Sequence, residues 1–413
     1  MNNPKTITVA LAIALAAFGG MALAQSSGPA KPQYEIPTGV KIDEDAPRGI
    51  QVGEGFYVFP YVKLGIGRDD NLFLSHTNEK SSDLTIFNPG FQLQARRQDA
   101  LYKLSADAVN GAYRSSSRDD YLDRRIRGSG EWVLSNSAGL RLGLNSDYLR
   151  DPRGSTNRPT GNEPDTYRDN GANVLFAYGA NDAKGRIELA GETAQKRYRN
   201  NRLFTEAADR DTDNLRGTAF FRVMPRTSLL FEVSQFKYDY TLGSSTLDSK
   251  ENRYMAGVTW EATTATSGTV KIGSLKKDFR SSLRDDFSGS TWEVAVQWSP
   301  MTYSKVDLYS QKTIYEATGI GDFVLTKRSG VVWKHDWSTA LSSTASYYHA
   351  QDDFLGAGSS RKDRINALGF KVNYKLGRVL TLGADYTYTD RDSNIPDFRY
   401  KRNQLMFTAG AAM

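Results

Sequence analysis

The chain of 413 residues contains no cysteine and only three histidines. Without cysteine it has no disulfide framework and no acylation site of the lipoprotein type. His76 and His335 have no partner pattern, and no phosphate loop or zinc spacing is present. His349 lies near Ser343 and Ser346, which a lipid-modifying site could use, but its position among tyrosines favours a girdle residue. We therefore predict that the protein is not an enzyme and that it has no metal ion or cofactor.

Long apolar runs are also missing after the first residues, and the mean hydropathy of the chain is −0.53. This argues against a bundle of transmembrane helices. Instead, apolar and polar residues alternate with period two from Phe56 to the C-terminus. In residues 291–298, for example, Trp and Val alternate with Thr, Glu, Ala and Gln. The repeating segments are about ten to fourteen residues long, enough to cross a bilayer as tilted strands.

This pattern predicts an all-β fold, a transmembrane antiparallel up-and-down β-barrel of about eighteen strands, with sixteen as the alternative. Short and long polar connections alternate between the segments, so we expect short periplasmic turns, long extracellular loops and both termini in the periplasm. The predicted strands are 56–66, 84–96, 101–113, 122–134, 138–149, 167–178, 184–197, 212–223, 228–239, 252–261, 268–279, 286–298, 303–315, 323–335, 340–350, 363–374, 379–389 and 400–410.

The N-terminal region divides into two predicted parts before the barrel, which covers residues 56–413. Residues 1–24 have a basic start at Lys5, an apolar stretch and the small-residue end Ala22-Leu23-Ala24, which is typical of a cleaved signal peptide. Residues 25–55 are rich in Pro, Gly and charge, so we expect an extended periplasmic segment. This organisation predicts an integral protein of the bacterial outer membrane.

Aromatic residues cluster at the two ends of the predicted strands, which favours interfacial girdles. Tryptophans lie close to short turns, namely Trp132, Trp260, Trp298, Trp333 and Trp337. Tyrosines lie close to long loops, namely Tyr113, Tyr148, Tyr167, Tyr198, Tyr240, Tyr254, Tyr315, Tyr347, Tyr388 and Tyr400. We expect these side chains to face the two lipid interfaces.

The polar face of the strands is predicted to line the lumen with charges of both signs. The candidate lining residues are Lys103, Asp107, Arg125, Arg127, Arg141, Arg186, Glu188, Glu293, Lys305, Asp307, Tyr309, Lys371 and Asp385. Such a wall suits water and polar solutes, and a barrel of about sixteen to eighteen strands is wide enough for an aqueous channel. The alternative is that the charges pair and the loops fold in, which would close the lumen. Basic and acidic residues are interspersed, so nucleic-acid binding is not expected.

The first hairpin contains Asp69-Asp70-Asn71 and Phe73, and then Ser82-Asp83 and Asn88-Pro89-Gly90-Phe91, with Tyr113 closing the third predicted strand. It resembles the EpsL-like, β-barrel porin type 2 proteins encoded with bacterial exopolysaccharide clusters. The resemblance implies a barrel that serves polysaccharide secretion beside a periplasmic export lipoprotein and an inner-membrane synthesis complex. From the residues alone, we interpret the Asp69-Asp70-Asn71 motif as a solvated loop end rather than a calcium site.

The last ten residues, QLMFTAGAAM, depart from the usual aromatic end of a barrel chain. Either Leu405 and Phe407 serve the barrel-assembly machinery as its recognition signal, or the last strand extends differently. Besides that machinery, the expected partners are outer-membrane lipid and lipopolysaccharide, a polysaccharide polymer and the periplasmic export lipoprotein.

The sequence therefore predicts a channel that exports an exopolysaccharide across the outer membrane with a periplasmic export protein. One alternative is a general diffusion porin for small hydrophilic solutes, in which a loop near 150–166 folds inward as a constriction. Another is a closed structural barrel that displays its loops at the cell surface.

Overall fold

The computed structural model describes residues 49–156, 161–180, 183–261, 265–319, 321–356 and 358–413. Within these ranges, no helix is long and apolar enough to cross a bilayer. The strands are β1 Ile50–Gly53, β2 Phe56–Asp69, β3 Ser82–Arg96, β4 Ala100–Tyr113, β5 Tyr121–Ser135, β6 Ala138–Asp151, β7 Asp165–Tyr178, β8 Gly185–Tyr198, β9 Arg210–Met224, β10 Thr227–Tyr240, β11 Ser249–Trp260, β12 Thr266–Phe279, β13 Phe287–Met301, β14 Ser304–Glu316, β15 Phe323–Asp336, β16 Leu341–Leu355, β17 Lys362–Leu376, β18 Leu380–Ser393 and β19 Tyr400–Ala412.

Strands β2 to β19 form a closed antiparallel barrel in which each strand pairs with its neighbours along the chain. The barrel closes where β19 pairs with β2, from Gln404 opposite Asp69 to Ala412 opposite Tyr61. Each of the eighteen predicted segments overlaps one of these strands, so the prediction of eighteen strands is confirmed.

The strands expose apolar side chains on their outer face. On β10, Leu229, Phe231 and Val233 are each more than 40% exposed, whereas Leu230 and Glu232 between them are buried. A soluble sheet would show the reverse, because its apolar face would be covered by a core. This arrangement is typical of strands whose outer face contacts lipid.

The connections alternate in length around the barrel. One end carries short turns such as 136–137, 225–226 and 302–303. The other end carries long loops, of which 70–81 and 152–164 are two. Several strands extend further towards the long loops than predicted, because polar residues beyond the apolar band continue the pairing with neighbouring strands.

A short strand, β1, lies within the region predicted as an extended periplasmic segment. Ile50 pairs with Val58 of β2, on the stretch of β2 that continues beyond its pairing with β19. β1 therefore follows β19 along the same edge of β2 at the periplasmic rim. The predicted signal peptide, 1–24, and residues 25–48 lie outside the described residues.

The Asp69-Asp70-Asn71 motif joins the first and last barrel strands. Asp69 accepts hydrogen bonds from Arg402 Nε at 3.0 and 3.1 Å. Asp70 accepts from Asn403 N at 2.7 Å and from Asn403 Nδ2 at 2.6 Å. Asn71 Nδ2 donates to Lys401 O at 2.8 Å. We call these six residues, 69–71 and 401–403, the closure clasp.

The interpretation of this motif as a solvated loop end is wrong for Asp69 and Asn71, which are 1% and 0% exposed. Barrel closure covers them with a strand that lies more than three hundred residues away in sequence. The last strand continues past Phe407 to Ala412. Leu405 and Phe407 both lie on its exposed outer face.

At the extracellular end, some of the aromatic residues face the lumen and not the lipid, unlike the prediction. At the periplasmic end, Trp298, Trp333 and Trp337 are exposed on the outside, as a girdle requires. Near the long loops, Tyr254 and Tyr347 are also exposed. The prediction is wrong for a group of buried tyrosines in the barrel mouth, Tyr113, Tyr198, Tyr240 and Tyr400. A position near a strand end does not fix the face, because successive side chains alternate between lipid and lumen.

The barrel interior as candidate functional site

The predicted lining residues occupy the inner face of the strands, opposite the exposed apolar side chains. They are distributed around most of the wall: Lys103 and Asp107 on β4, Arg125 and Arg127 on β5, Arg141 on β6, Arg186 and Glu188 on β8, Glu293 on β13, Lys305, Asp307 and Tyr309 on β14, Lys371 on β17 and Asp385 on β18. They therefore form a wall of mixed charge rather than one compact site.

Arginines and carboxylates pair across neighbouring strands on the wall formed by β4, β5 and β6. Arg125 lies 3.1 Å from Asp107, and Arg127 lies 3.0 Å from Asp147. Arg141 lies 3.4 Å from Glu131 on β5. The Arg127 side chain remains 51% exposed although it faces inward. This part of the lumen is therefore open to water.

The wall formed by β10 to β13 is filled by its own side chains. Lys271 Nζ lies 3.1 Å from Glu232 and 2.7 Å from Glu293, and the lysine side chain is only 1% exposed. Both carboxylates lie within ion-pair distance of this one lysine, and buried charges require such partners. Nearby, Gln297 Nε2 donates to Asp307 at 2.9 Å. Water and solute are therefore expected to pass on the opposite side of the barrel.

The remaining predicted residues have different surroundings. Arg186 pairs with Glu188 on the same strand. Lys103 lies opposite Gln94, and Lys305 lies opposite a second lysine, Lys334.

The Tyr309 ring lies over Gly330 on the next strand, where a Cβ would come within 2.4 Å of Tyr309 Oη. Lys371 lies opposite Asp385.

The tip of the β14–β15 hairpin bends into the barrel. Pairing between β13 and β14 stops at Trp292 and Lys312, although both strands continue towards the extracellular side. Above this point, side chains of β14 and β15 that belong to the outer face by alternation pack against the inner face of β12. The resulting buried cluster contains Leu275, Ile314, Phe323 and Leu325. The hairpin tip thus lies in front of the neighbouring wall instead of continuing it.

Polar contacts hold the hairpin tip in this position. Glu316 accepts a hydrogen bond from Lys277 Nζ at 2.6 Å and another from Tyr240 Oη at 2.7 Å. Beyond the strand end, Asp322 pairs with Arg284 of the β12–β13 loop. These contacts place carboxylates of the hairpin against three different wall elements, so the tip narrows the lumen at the extracellular end.

Described residues of two long loops also lie in the mouth of the barrel. In the loop 152–164, Gly154 O accepts a hydrogen bond from Arg391 Nη2 on β18 at 3.1 Å. β19 and β2 to β5 lie between β6 and β18, so this contact crosses the mouth. The guanidinium of Arg153 lies 3.8 Å from the ring centroid of Phe73 in the loop 70–81. For the constriction near 150–166 considered for a diffusion porin, the described part of that segment, residues 152–156, has inward contacts of this kind.

Sequence reasoning missed several residues of this interior. Lys277 and Glu316 were not recognised as a pair, because the alternation of β14 places Glu316 on the outer face. Lys63 was also missed, since it is the single charge in an aromatic and apolar segment, FYVFPYVKLGIG. Lys63 follows Tyr61 by two residues and lies on the same strand face as Asp69. This spacing could have identified Lys63 as a lumen residue from the sequence.

The histidines in strands lie among aromatic or amide groups. The His335 ring contacts the Trp337 ring in a tilted arrangement, at 4.3 Å between ring centroids. His349 Nδ1 lies 2.9 Å from Asn366 Oδ1, which also accepts from Tyr347 Oη. These contacts fit outer-surface positions near the two interfaces.

A closed barrel with an apolar outer band and a charged interior defines a porin-type barrel of the outer membrane. The chain belongs to the family described as "Putative beta-barrel porin 2", whose profile matches residues 45–412. No curated protein matches the chain.

Several solved structures are similar to the chain. OccAB3 of Acinetobacter baumannii has 12% identity and a TM-score of 0.48, with 87% of this chain and 100% of that chain covered. OprD of Pseudomonas aeruginosa has 9% identity and a TM-score of 0.46, with 89% and 97% covered. A structure titled bacterial polysaccharide outer membrane secretin has 9% identity and a TM-score of 0.38, with 86% and 98% covered.

Proposed function

We propose that the protein is a diffusion porin for small hydrophilic solutes. The observation that carries this proposal is a water-accessible, charged inner wall beneath a mouth narrowed by one hairpin and two loops. An unobstructed barrel of this strand number would admit solutes with little selection, because its lumen is an aqueous channel. Elements that fold inward reduce the cross-section at one level, and this limits the size of the solutes that pass.

The charge pattern of the wall agrees with this function. On the open side, Arg125 and Arg127 pair with Asp107 and Asp147 across neighbouring strands. Pairing reduces the cost of placing charges in a confined lumen and leaves a polar surface that replaces part of a solute's hydration shell. A small polar solute can exchange its water contacts for this wall without strong trapping.

Export of an exopolysaccharide is the second candidate, and the first hairpin supports it through its resemblance to EpsL-like proteins. A polymer would have to pass the tip of the β14–β15 hairpin, so export would require that the hairpin and the mouth loops move aside. In this version of the proposal, a periplasmic export lipoprotein would deliver the polymer. In both versions the signal peptide is cleaved after Ala24, and the assembly machinery inserts the barrel.

Liposome swelling with the purified mature chain tests the first candidate. We expect swelling in neutral sugars at rates that fall steeply from monosaccharide to tetrasaccharide, and no swelling with heat-unfolded protein. Absence of swelling even in a monosaccharide would contradict the proposal. A deletion strain separates the two candidates: an unchanged polysaccharide coat with slower solute uptake supports the porin, whereas loss of the coat with normal uptake supports export.

A further inference from the structure

The inner wall from β16 to β2 is lined by small residues, unlike the filled wall of β10 to β13. Facing positions on these strands are Ser346, Gly369, Gly383, Thr408, Gly410 and Gly65. Their oxygens lie close to the glycine backbone: a Cβ at Gly369 would be 2.5 Å from Ser346 Oγ, and a Cβ at Gly383 would be 2.6 Å from Thr408 Oγ1. These short side chains leave the lumen beside this part of the wall less filled than it is beside β10 to β13.

Two lysines border this wall on either side of a single carboxylate. Lys371 on β17 lies directly opposite Asp385 on β18, and Lys63 on β2 lies opposite Gly410 on β19. Both lysines interact electrostatically with Asp385 and with each other. Within the described ranges, neither ammonium has a carboxylate oxygen inside ion-pair distance. Arg125 and Arg127 on β5 differ, because each has its own carboxylate.

The floor between the lysines offers hydrogen-bonding groups without further charge. Asn373 of β17 lies opposite Gly383 of β18. Its Oδ1 is 3.1 Å from the position that a Cβ would take at that glycine. Thr408 lies on the other side of the same glycine. Amide and hydroxyl groups of this kind donate to and accept from the hydroxyl groups of a solute. We call Lys63, Lys371, Asp385, Asn373 and Thr408 the two-lysine surface.

We propose that the two-lysine surface is the selectivity site of the channel and that it favours small hydroxylated organic anions with a carboxylate. Two ammonium groups and one carboxylate leave an excess of one positive charge on this part of the inner wall. In a channel with low-dielectric walls, such an excess raises the local concentration of anions and lowers that of cations. The hydroxyl and amide floor contacts the remainder of the solute. This inference depends on the proposed porin function.

The direct test is the reversal potential of the purified mature chain in a planar bilayer with a KCl gradient. We expect a preference for chloride over potassium in the parent protein, and a reversed preference in Lys63→Glu/Lys371→Glu. The matched control is Lys305→Glu, which makes the same change of charge at a lumen lysine outside this surface. It should shift the reversal potential by less than half as much as either single change at Lys63 or Lys371.

A second readout uses an organic anion and guards against misfolded variants. Liposomes should swell faster in potassium glucuronate than in glucose after correction for osmotic strength. In Lys63→Gln/Lys371→Gln this ratio should fall severalfold while the glucose rate, which reports an intact channel, stays within about twofold of the parent.

The outcomes distinguish failure of the proposed selectivity site from failure of the proposed porin function. Potassium preference in the parent, or an equal shift in Lys305→Glu, overturns the assignment of the selectivity site while the porin function stands. Absence of any conductance and any swelling overturns the porin function and this inference with it.

Discussion

Glu316, at the end of β14, accepts a hydrogen bond from Lys277 of β12 at 2.6 Å inside the barrel. Strict alternation along β14 would direct the Glu316 side chain towards the outside. The pair exists because β14 leaves β13 above Lys312 and turns its outer face onto the inner wall. The side chains of the pair are 3% and 0% exposed, so each charge depends on the other.

We predict that Glu316→Gln releases the hairpin and enlarges the pore. Removing one partner of a buried ion pair costs about 3–5 kcal/mol, because the remaining ammonium stays desolvated and unpaired. The expected result is a larger and noisier single-channel conductance in planar bilayers. Glu206→Gln is the control, since Glu206 lies in an exposed extracellular segment and should leave the conductance unchanged.

The cysteine-free chain allows a second check of the hairpin. Leu275→Cys/Ile314→Cys places two thiols in the cluster that seats the tip, where a short bifunctional thiol reagent can join them. Added to Glu316→Gln, this cross-link should restore the conductance of the parent. A conductance that stays high after verified cross-linking would show that the hairpin does not set the pore size.

Loss of the closure clasp should destabilise the barrel strongly. We expect Asp69→Ala to lower the free energy of unfolding by about 3–5 kcal/mol, because Arg402 is then buried without a partner. Unfolding in urea, followed by tryptophan fluorescence in detergent, measures this change. Asp83→Ala is the matched control: Asp83 is half exposed in its pair with Arg68, and its loss should cost less than about 1 kcal/mol.

A double variant tests the physical reason for this loss. Asp69→Ala/Arg402→Met removes the unpaired charge as well, so it should recover most of the stability. If Asp69→Ala alone were no more harmful than Asp83→Ala, the clasp would not contribute to closure.

Gly154→Ala should widen the mouth. Gly154 has a φ of +74°, and a Cβ there would lie 2.5 Å from Phe73 O. The loop must therefore move, which breaks its contact with Arg391 and raises the size limit in liposome swelling. Gly243→Ala, at a loop glycine with open space around it, should leave the limit unchanged. Equal size limits in the two variants would argue against a role for the loop 152–164 in the constriction.

The barrel itself could be predicted from the sequence because lipid and lumen impose opposite demands on successive residues. Leu229, Phe231 and Val233 alternate with the inward-facing residues of β10, and that alternation indicates both the strand and its faces. The ends of the strands could not be predicted as closely. Beyond the lipid band, polar residues continue the strand pairing, so the sequence there lacks the contrast between apolar and polar positions. β16 accordingly continues to Leu355, beyond the predicted end at residue 350.

The bent hairpin could not be predicted, because an apolar face suits lipid and a buried cluster equally well. Ile314, Phe323 and Leu325 satisfy the pattern of a lipid-facing surface, yet they pack inside. The closure clasp was hidden for another reason: Asp69 meets its partner only when the ends of the chain come together. The excess of lysine on the two-lysine surface likewise depends on β2 and β17 lying near each other across β18 and β19.

Single-channel recording of the purified protein in a planar bilayer tests the central claim most directly. A porin with a water-accessible wall and an inward hairpin predicts steady unitary currents in KCl, with a larger unitary conductance in Glu316→Gln. Absence of current through both the parent and Glu316→Gln, in preparations that show the folded barrel, would contradict the account.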